Sequence, residues 1–326
     1  MRVLNRIKDL ASVPGPTHLA IGVFDGIHLG HQAVIGQAVQ NARRTGGSSV
    51  VVTFDPHPIL VLRPENAPHL LMPPRQKRRM VERIGADAML TITFTREFSK
   101  TSPELFIQEL YDAANELREI CVGEGWRFGA DRSGEIGLLE SMAQNLGIRL
   151  NAVSSVLADG KTISSTWVRA ALERHDLKEV SKLLGRPFAL LGSVAPAPVN
   201  SSANRLGLAA VTSQPTSNQF PPDGIYAVNA DGDGSAYRGA LNIGCLTGGE
   251  QHDRLVQLRI LGPDTQISGE EMEFNVLEYL RPKTSTGGFT EQIARDALWA
   301  KEMNDMESRA EDGIGFCEVD FGYVSP

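Results

Sequence analysis

Apolar positions in the first half of the chain follow two alternating rhythms. Short runs rich in β-branched residues, "THLAIGVF", "SSVVVTF", "ADAMLTITF", "REICVGE" and "IRLNAVSSV", read as strands. Between them lie segments with helical spacing. "HQAVIGQAVQNARR" places Val34, Ile35, Ala38 and Ala42 on one face, and "RQKRRMVERIG" is a basic helix. "SPELFIQELYDAANEL" begins at a Ser102–Pro103 helix start, "EIGLLESMAQNLG" follows, and "STWVRAALERHDLKEVSKLLG" gives two short helices stopping at Gly185. Strands alternating with helices imply a mostly parallel sheet covered on both faces.

The rhythm changes after "RPF". "LLGSVAPAPVNSSA" reads as a linker or as a long loop on a new domain. Turn-punctuated strand candidates follow in "DGIYAVNA", "GALNIG", "RLVQLRIL" and "MEFNVLEYL", a spacing that favours a small antiparallel barrel. "GFTEQIARDALWAKEMNDMESRA" reads as a closing helix, and there are no internal repeats. The pattern divides the chain into residues 1–186, residues 187–310, and a tail, 311–326, to which it assigns no role.

Composition narrows the setting. The 326 residues suffice for about two domains, and 41% hydrophobic with 22% charged residues is ordinary for a core-forming protein. A net charge of −7 argues against a general nucleic-acid or membrane-surface binder. No apolar run approaches the ~20 residues of a membrane span, and "MRVLNRIKDLASVPG" lacks the apolar core of a signal peptide. Cys121, Cys245 and Cys317 are widely separated and odd in number, which suggests neither a disulfide framework nor a zinc site. A cytoplasmic protein with reduced thiols, no membrane partner and no nucleic-acid partner is the expectation; no metal-ligand set is assigned, and the oligomeric state stays open.

The candidate chemistry begins with "AIGVFDGIHLGHQAVI". His28 and His31 fall where a strand of a parallel sheet ends and a helix begins. Ligands of open α/β sheets bind at that carboxyl edge. A helix N-terminus adds free N–H groups and partial positive charge, both suited to phosphate. Gly30 allows close approach to the backbone, and two imidazoles can donate to phosphoryl oxygens as charge builds in a transition state. The plain alternative is a pair of capping or surface histidines. Rival phosphate motifs fail by letter: five positions before the Gly160 of "ADGKTISS", where a P-loop needs its first glycine, stands Ser155, and "VGEGWRFG" has Phe128 at the third glycine of G-x-G-x-x-G. "ISSTWVR" supplies Ser164, Ser165 and Thr166 at a helix start with Arg169 one turn in, either a phosphate site or a simple N-cap. "TFDPHP" is a substrate or metal loop, or only a rigid turn.

Together "IGVFDGIHLGHQ", "TFDPHP", "FTREFSKTSPELF", "VGEGWRFG" and "ISSTWVR…LLGRPF" occur in the order found in prokaryotic FAD synthetases. Over about residues 1–310 the chain resembles the bifunctional riboflavin kinase/FMN adenylyltransferase family. The resemblance implies a Rossmann-like nucleotidyltransferase domain followed by a small antiparallel β-barrel of riboflavin-kinase type. It implies that His28, His31 and Arg169 serve catalysis, and that Gly22, Phe24, Gly30, Ser164, Ser165 and Thr166 complete the nucleotide site. Asp55, Pro56, His57 and Pro58, with the Pro-rich "NAPHLLMPP", would lie in the flap region near flavin. ATP and FMN are the implied substrates and Mg²⁺ the implied cofactor. FMN phosphate itself attacks the α-phosphorus, so alignment and charge stabilisation suffice.

The chain departs from the family pattern twice. The first-domain motif V-G-x-Asp/Asn-Phe-x-Phe-Gly has Gly125 at its fourth position, followed by Trp126. The kinase segment Gly-Phe-Pro-Thr-Ala-Asn registers on "RLGLAAVTSQ", where Ala210 and Thr212 replace its Thr and Asn; Gln257 in "LVQLRIL" replaces the catalytic Glu. The expected protein is therefore an FAD synthetase whose kinase barrel persists without its chemistry. A fully bifunctional enzyme, a non-catalytic flavin- or nucleotide-binding paralogue, and a nucleotidyltransferase with another acceptor phosphate are the competing readings.

Overall fold

A computed structural model of the chain describes residues 1–196, 208–212, 219–232, 235–245, 254–260 and 271–282. The closing helix expected over 288–310, the tail and Cys317 lie outside the described residues. The chain divides into two compact units, Met1–Pro187 with Pro215–Phe220, and Phe188–Gln214 with Pro221–Pro326.

The first unit runs β1 (Arg2–Leu4), β2 (Thr17–Ile21), α1 (Leu29–Thr45), β3 (Ser48–Asp55), α2 (Pro58–Leu62), α3 (Pro74–Ile84), β4 (Ala88–Thr93), α4 (Pro103–Ala113) and β5 (Leu117–Gly123). It continues with α5 (Ile136–Leu146), β6 (Arg149–Val153), the hairpin strands β7 (Leu157–Ala158) and β8 (Lys161–Thr162), α6 (Ser165–Glu173) and α7 (Leu177–Leu184). Six parallel strands form one sheet in the order β1-β4-β3-β2-β5-β6. The pleat explains why the strands read as continuous apolar runs. Leu19, Ile21, Val50, Val52, Leu90, Ile120 and Val122 join one core with Phe106 and Leu110 of α4 and Leu139 of α5. The intervening Ala20, Val51, Met89 and Cys121 join the other, with Val34, Ile35 and Ala38 of α1 and Met80 and Val81 of α3. Both faces are therefore covered. A buried polar tie reinforces the centre. Glu119 of β5 accepts from Asn41 of α1 at 2.7 Å and lies 3.0 Å from His18 Nδ1 of β2.

The helix expected from "SPELFIQELYDAANEL" ends earlier than its apolar pattern suggests. Ala114 is already extended, and Leu117 opens β5. After β2 the chain moves outward through β3 and β4, then returns to β2's other side to lay β5. The carboxyl end of β2 lies at that reversal, where open α/β sheets form a crevice.

The second unit contains β9 (Phe188–Pro196), β10 (Leu208–Thr212), β11 (Gly224–Gly232), β12 (Ser235–Cys245), β13 (Arg254–Ile260) and β14 (Glu271–Arg281). They form a closed antiparallel barrel in the order β10-β13-β12-β11-β14-β9. Phe188, Leu190, Val228, Leu241, Ile243, Phe274 and Val276 are buried in this unit. The segment read as linker or loop is strand as far as Pro196. β9 pairs with β14 through Leu190↔Phe274 and with β10 through Ala195↔Ala210. Its proline closes the strand, where a missing N–H costs least. Among the described residues no helix is long and apolar enough to cross a membrane.

Candidate active site

The loop leaving β2 is shaped by steric compression. A Cβ on Gly22 would fall 2.8 Å from the Phe24 ring, so only glycine fits beneath it. Phe24 and Ile27 adopt left-handed backbone, φ 51° and 40°, while both side chains are buried. Such conformations cost ~1–3 kcal/mol each and persist where surrounding packing over-determines them, commonly at functional sites. Here the cost holds the next residue, His28, at the N-cap of α1.

His28 Nδ1 accepts from the His31 backbone N–H at 3.4 Å, and the two imidazoles stack with centroids 3.7 Å apart. A ring nitrogen that accepts carries no proton, so the neutral His28 bears its hydrogen on Nε2, ready to donate. Phe24 packs edge-on against His31, 5.4 Å between centroids, and so backs the pair from within the core. A Cβ on Gly30 would press the His28 ring at 3.2 Å, which gives that glycine a steric role. The same point lies 3.9 Å from Ile163 O, bringing the "ISST" segment against the start of α1.

Burial holds both imidazoles neutral. It lowers His28 to about 4 and holds His31 well below the ordinary imidazole value, with His28 and Lys77 adding to the effect on His31. Because the folded value lies below the free value of 6.5, the unfolded chain binds more protons between about pH 6.5 and 4. Stability is therefore full above pH 6.5 and falls as pH drops through that window, by up to about 3 kcal/mol from His28. Thermal melting at stepped pH should show a shallower acid slope in His28→Asn than in the parent. Equal slopes would remove His28 as the source.

Asp25 organises the second part of the site. Its carboxylate pairs with Arg169 Nη2 and accepts from the Leu71 N–H at 3.0 Å. Arg169 Nε donates to His69 O at 2.7 Å, and Ser165 Oγ donates to Asp25 O at 2.8 Å. One clasp thus joins the histidine loop, the start of α6 and the Pro-rich flap. Ser164 caps α6 by accepting from Trp167 N at 3.3 Å, and Thr166 is exposed. Arg169 uses two edges of its guanidinium, a geometry lysine cannot reproduce. Arg169→Lys should raise the Michaelis constant for ATP by roughly tenfold and leave that for FMN less affected. Unchanged ATP constants in steady-state assays would remove Arg169 from the nucleotide site.

A cleft of about 200 Å³ opens at the carboxyl ends of β3 and β4, lined in part by Asp25, Asp55, His57, Leu70, Met72 and Lys77. Of the four expected flavin-site residues, Asp55 and His57 line it; Pro56 and Pro58 flank them in sequence. His57 caps α2 by accepting at Nδ1 from Ile59 N, 3.2 Å, which leaves its proton on Nε2. Burial, helped by Lys77 and Arg169, lowers His57 to about 4. His28 and His31 lie outside this cleft's lining, so the histidine pair and the flap cleft are neighbouring halves joined by Asp25. Trp126 stacks on Phe128, 4.3 Å between centroids, and packs against the sheet core. A Cβ on Gly125 meets nothing within 4 Å, so its missing side chain leaves open space.

Sequence reasoning passed over Asp25 and Lys77. Asp25 lay inside a motif read for its histidines. Lys77 lies in a segment that reads only as a basic helix, yet it is 8% exposed and donates to Val23 O at 2.7 Å.

Comparison with known proteins now decides the family. The family model described as FAD synthetase matches residues 11–167, and that described as riboflavin kinase matches residues 184–304. A bifunctional riboflavin kinase/FMN adenylyltransferase from Listeria monocytogenes is 30% identical over 295 residues, 90% of this chain and 91% of that protein. The chain belongs to the bifunctional riboflavin kinase/FMN adenylyltransferase family. The member from Escherichia coli K12 is 28% identical over 308 residues, covering 93% of this chain and 98% of its own. A crystal structure described as a macrolide-efflux protein from Streptococcus pneumoniae shares the fold, with TM-score 0.78 at 23% identity over 93% of this chain and 98% of that one.

Within this family member, the barrel register brings together two of the positions expected to depart from the kinase pattern. Ala210 of β10 pairs in register with Gln257 of β13, whose other neighbour is Asn242 of β12. Thr212 ends β10, opposite Ser193 of β9. Among the described residues no three His, Cys, Asp or Glu side chains gather as a metal site. Mg²⁺ holds most of its ligands as water and substrate phosphate and needs few protein carboxylates.

Proposed function

We propose that the first unit is the working half of this enzyme, transferring AMP from MgATP to FMN, while the barrel no longer phosphorylates riboflavin. A phosphate oxygen of FMN attacks the α-phosphorus of ATP, the α–β bridging bond breaks, and pyrophosphate leaves with FAD formed. The observation that carries the reading is the stacked His28–His31 pair at the N-terminus of α1, with His28 Nε2–H left free to donate. Donors fixed before reaction stabilise charge developing on the α-phosphoryl oxygens without reorganisation. Arg169 and the serines at the start of α6 hold the triphosphate, and the flap cleft beside Asp55 and His57 takes the flavin. Small-molecule substrates alone are needed.

The matched riboflavin-kinase model and the closed barrel favour a second reading, a fully bifunctional enzyme. One assay separates them. The purified full chain receives MgATP with either riboflavin or FMN, and the flavin products are resolved by chromatography. FAD from FMN alone supports the proposal. FAD or FMN from riboflavin returns the protein to the bifunctional class, and no FAD from FMN overturns the first-unit assignment.

A further inference from the structure

A buried ammonium needs a reason. Taking a charged lysine out of water costs several kcal/mol unless partners repay it. Lys77 lies in the first turn of α3 with 8% of its surface exposed. Its ammonium donates one of three N–H groups to Val23 O at 2.7 Å. Two carboxylates are near enough to favour its charge, Asp25 and Asp55, but Asp25 is already engaged by Arg169 and by the Leu71 N–H. Lys77 lines the flap cleft, with exposed Arg75 and Arg78 beside it. Its charge also bears on His31 and on His57, helping to keep both imidazoles neutral.

Any reaction joining two phosphate groups must bring two anions together. The cation that belongs between them should be buried, where water screens it least. It should also open onto the acceptor's cleft. We infer that Lys77 is the binding residue for the acceptor's phosphomonoester, holding the FMN phosphate in the flap cleft against the repulsion of the ATP triphosphate. This rests on the reading of the first unit as an FMN adenylyltransferase and adds the residue that recognises the acceptor's charged end. In the absence of FMN, Val23 O holds the ammonium, and the charge of Asp55 favours it. A bound phosphate takes the remaining N–H groups, with the Nε2–H of His57, which lines the same cleft, as a second donor.

The test uses the full chain and three measurements on the parent, Lys77→Met and Lys77→Arg. Steady-state FAD formation should show the FMN Michaelis constant raised roughly 10–100-fold in Lys77→Met, with the ATP constant within threefold of the parent. Lys77→Arg, which keeps the charge, should recover most of the loss. Inorganic phosphate should inhibit the parent competitively against FMN, and that inhibition should be lost in Lys77→Met. Equal increases in both Michaelis constants, or phosphate inhibition unchanged by the substitution, assign Lys77 a structural role and overturn the inference. Should Lys77→Met fail to fold by circular dichroism, Lys77→Gln carries the same comparison. A parent that makes no FAD overturns the underlying reading itself, an outcome distinct from a parent that works and a variant indistinguishable from it.

Discussion

Replacing His28 or His31 with alanine should lower FAD formation by roughly 10²–10³-fold, the usual cost of removing one preorganised donor from a transition-state oxyanion. His28→Ala also deletes the cap that accepts from His31 N, so part of its effect would be structural. His28→Asn separates the two contributions. Asparagine is among the best N-cap residues, so the helix start survives while the Nε2–H is lost. Turnover in His28→Asn should fall nearly as far as in His28→Ala, with melting temperature closer to the parent. The stacked rings act as one unit, so the double alanine variant should lose far less than the product of the single losses. Near-parental turnover in both single variants would reduce the pair to helix caps.

The second large effect is an absence of riboflavin phosphorylation. Transfer to a primary hydroxyl needs a group to orient or deprotonate it, and the amide of Gln257 has no useful basicity near neutral pH. It also needs Mg²⁺ fixed beside the γ-phosphate through hard oxygen ligands, and the alanine at 210 has no side-chain oxygen to give. Losing a general base costs ~10²–10⁴ in rate, and losing metal positioning multiplies the deficit. The register places these two substitutions directly opposite each other on β10 and β13, so one corner of the barrel carries both. Gln257→Glu alone should therefore leave the chain inactive toward riboflavin, whereas adding Ala210→Thr and Thr212→Asn tests whether the remaining scaffold is competent. FMN accumulating from riboflavin and MgATP, in a preparation free of contaminating kinase, would refute the loss.

Period carried most of the fold. Five of the first unit's six sheet strands announce themselves as β-branched runs, and α1 buries the face marked by Val34, Ile35, Ala38 and Ala42. β1 escaped because Arg2–Leu4 is too short to show any alternation. α2 escaped because Pro58–Leu62 is a single apolar turn flanked by prolines. β9 was hidden by alanine, serine and proline, whose strand depends on pairing with β10 and β14 and not on local preference. The histidine pair was legible from position alone, at the end of a strand and the start of a helix. Asp25 and Lys77 were not, because their meaning lies in what they touch. α3 buries Gln76 and Lys77 alongside Met80 and Val81, so half of its inward face is polar and a periodic reading that looks for apolar residues passes over it.

The ring of six strands has a consequence for how this barrel can change over time. Each described strand has a neighbour on both sides, so the ladder leaves no open flank for another chain to extend. The bonds that hold that ladder belong to the main chain and are indifferent to whether position 210 carries threonine or alanine, or position 257 glutamate or glutamine. Such an architecture can exchange the side chains of one corner without opening an edge to aggregation, so the sequence there can drift while the shell around it persists.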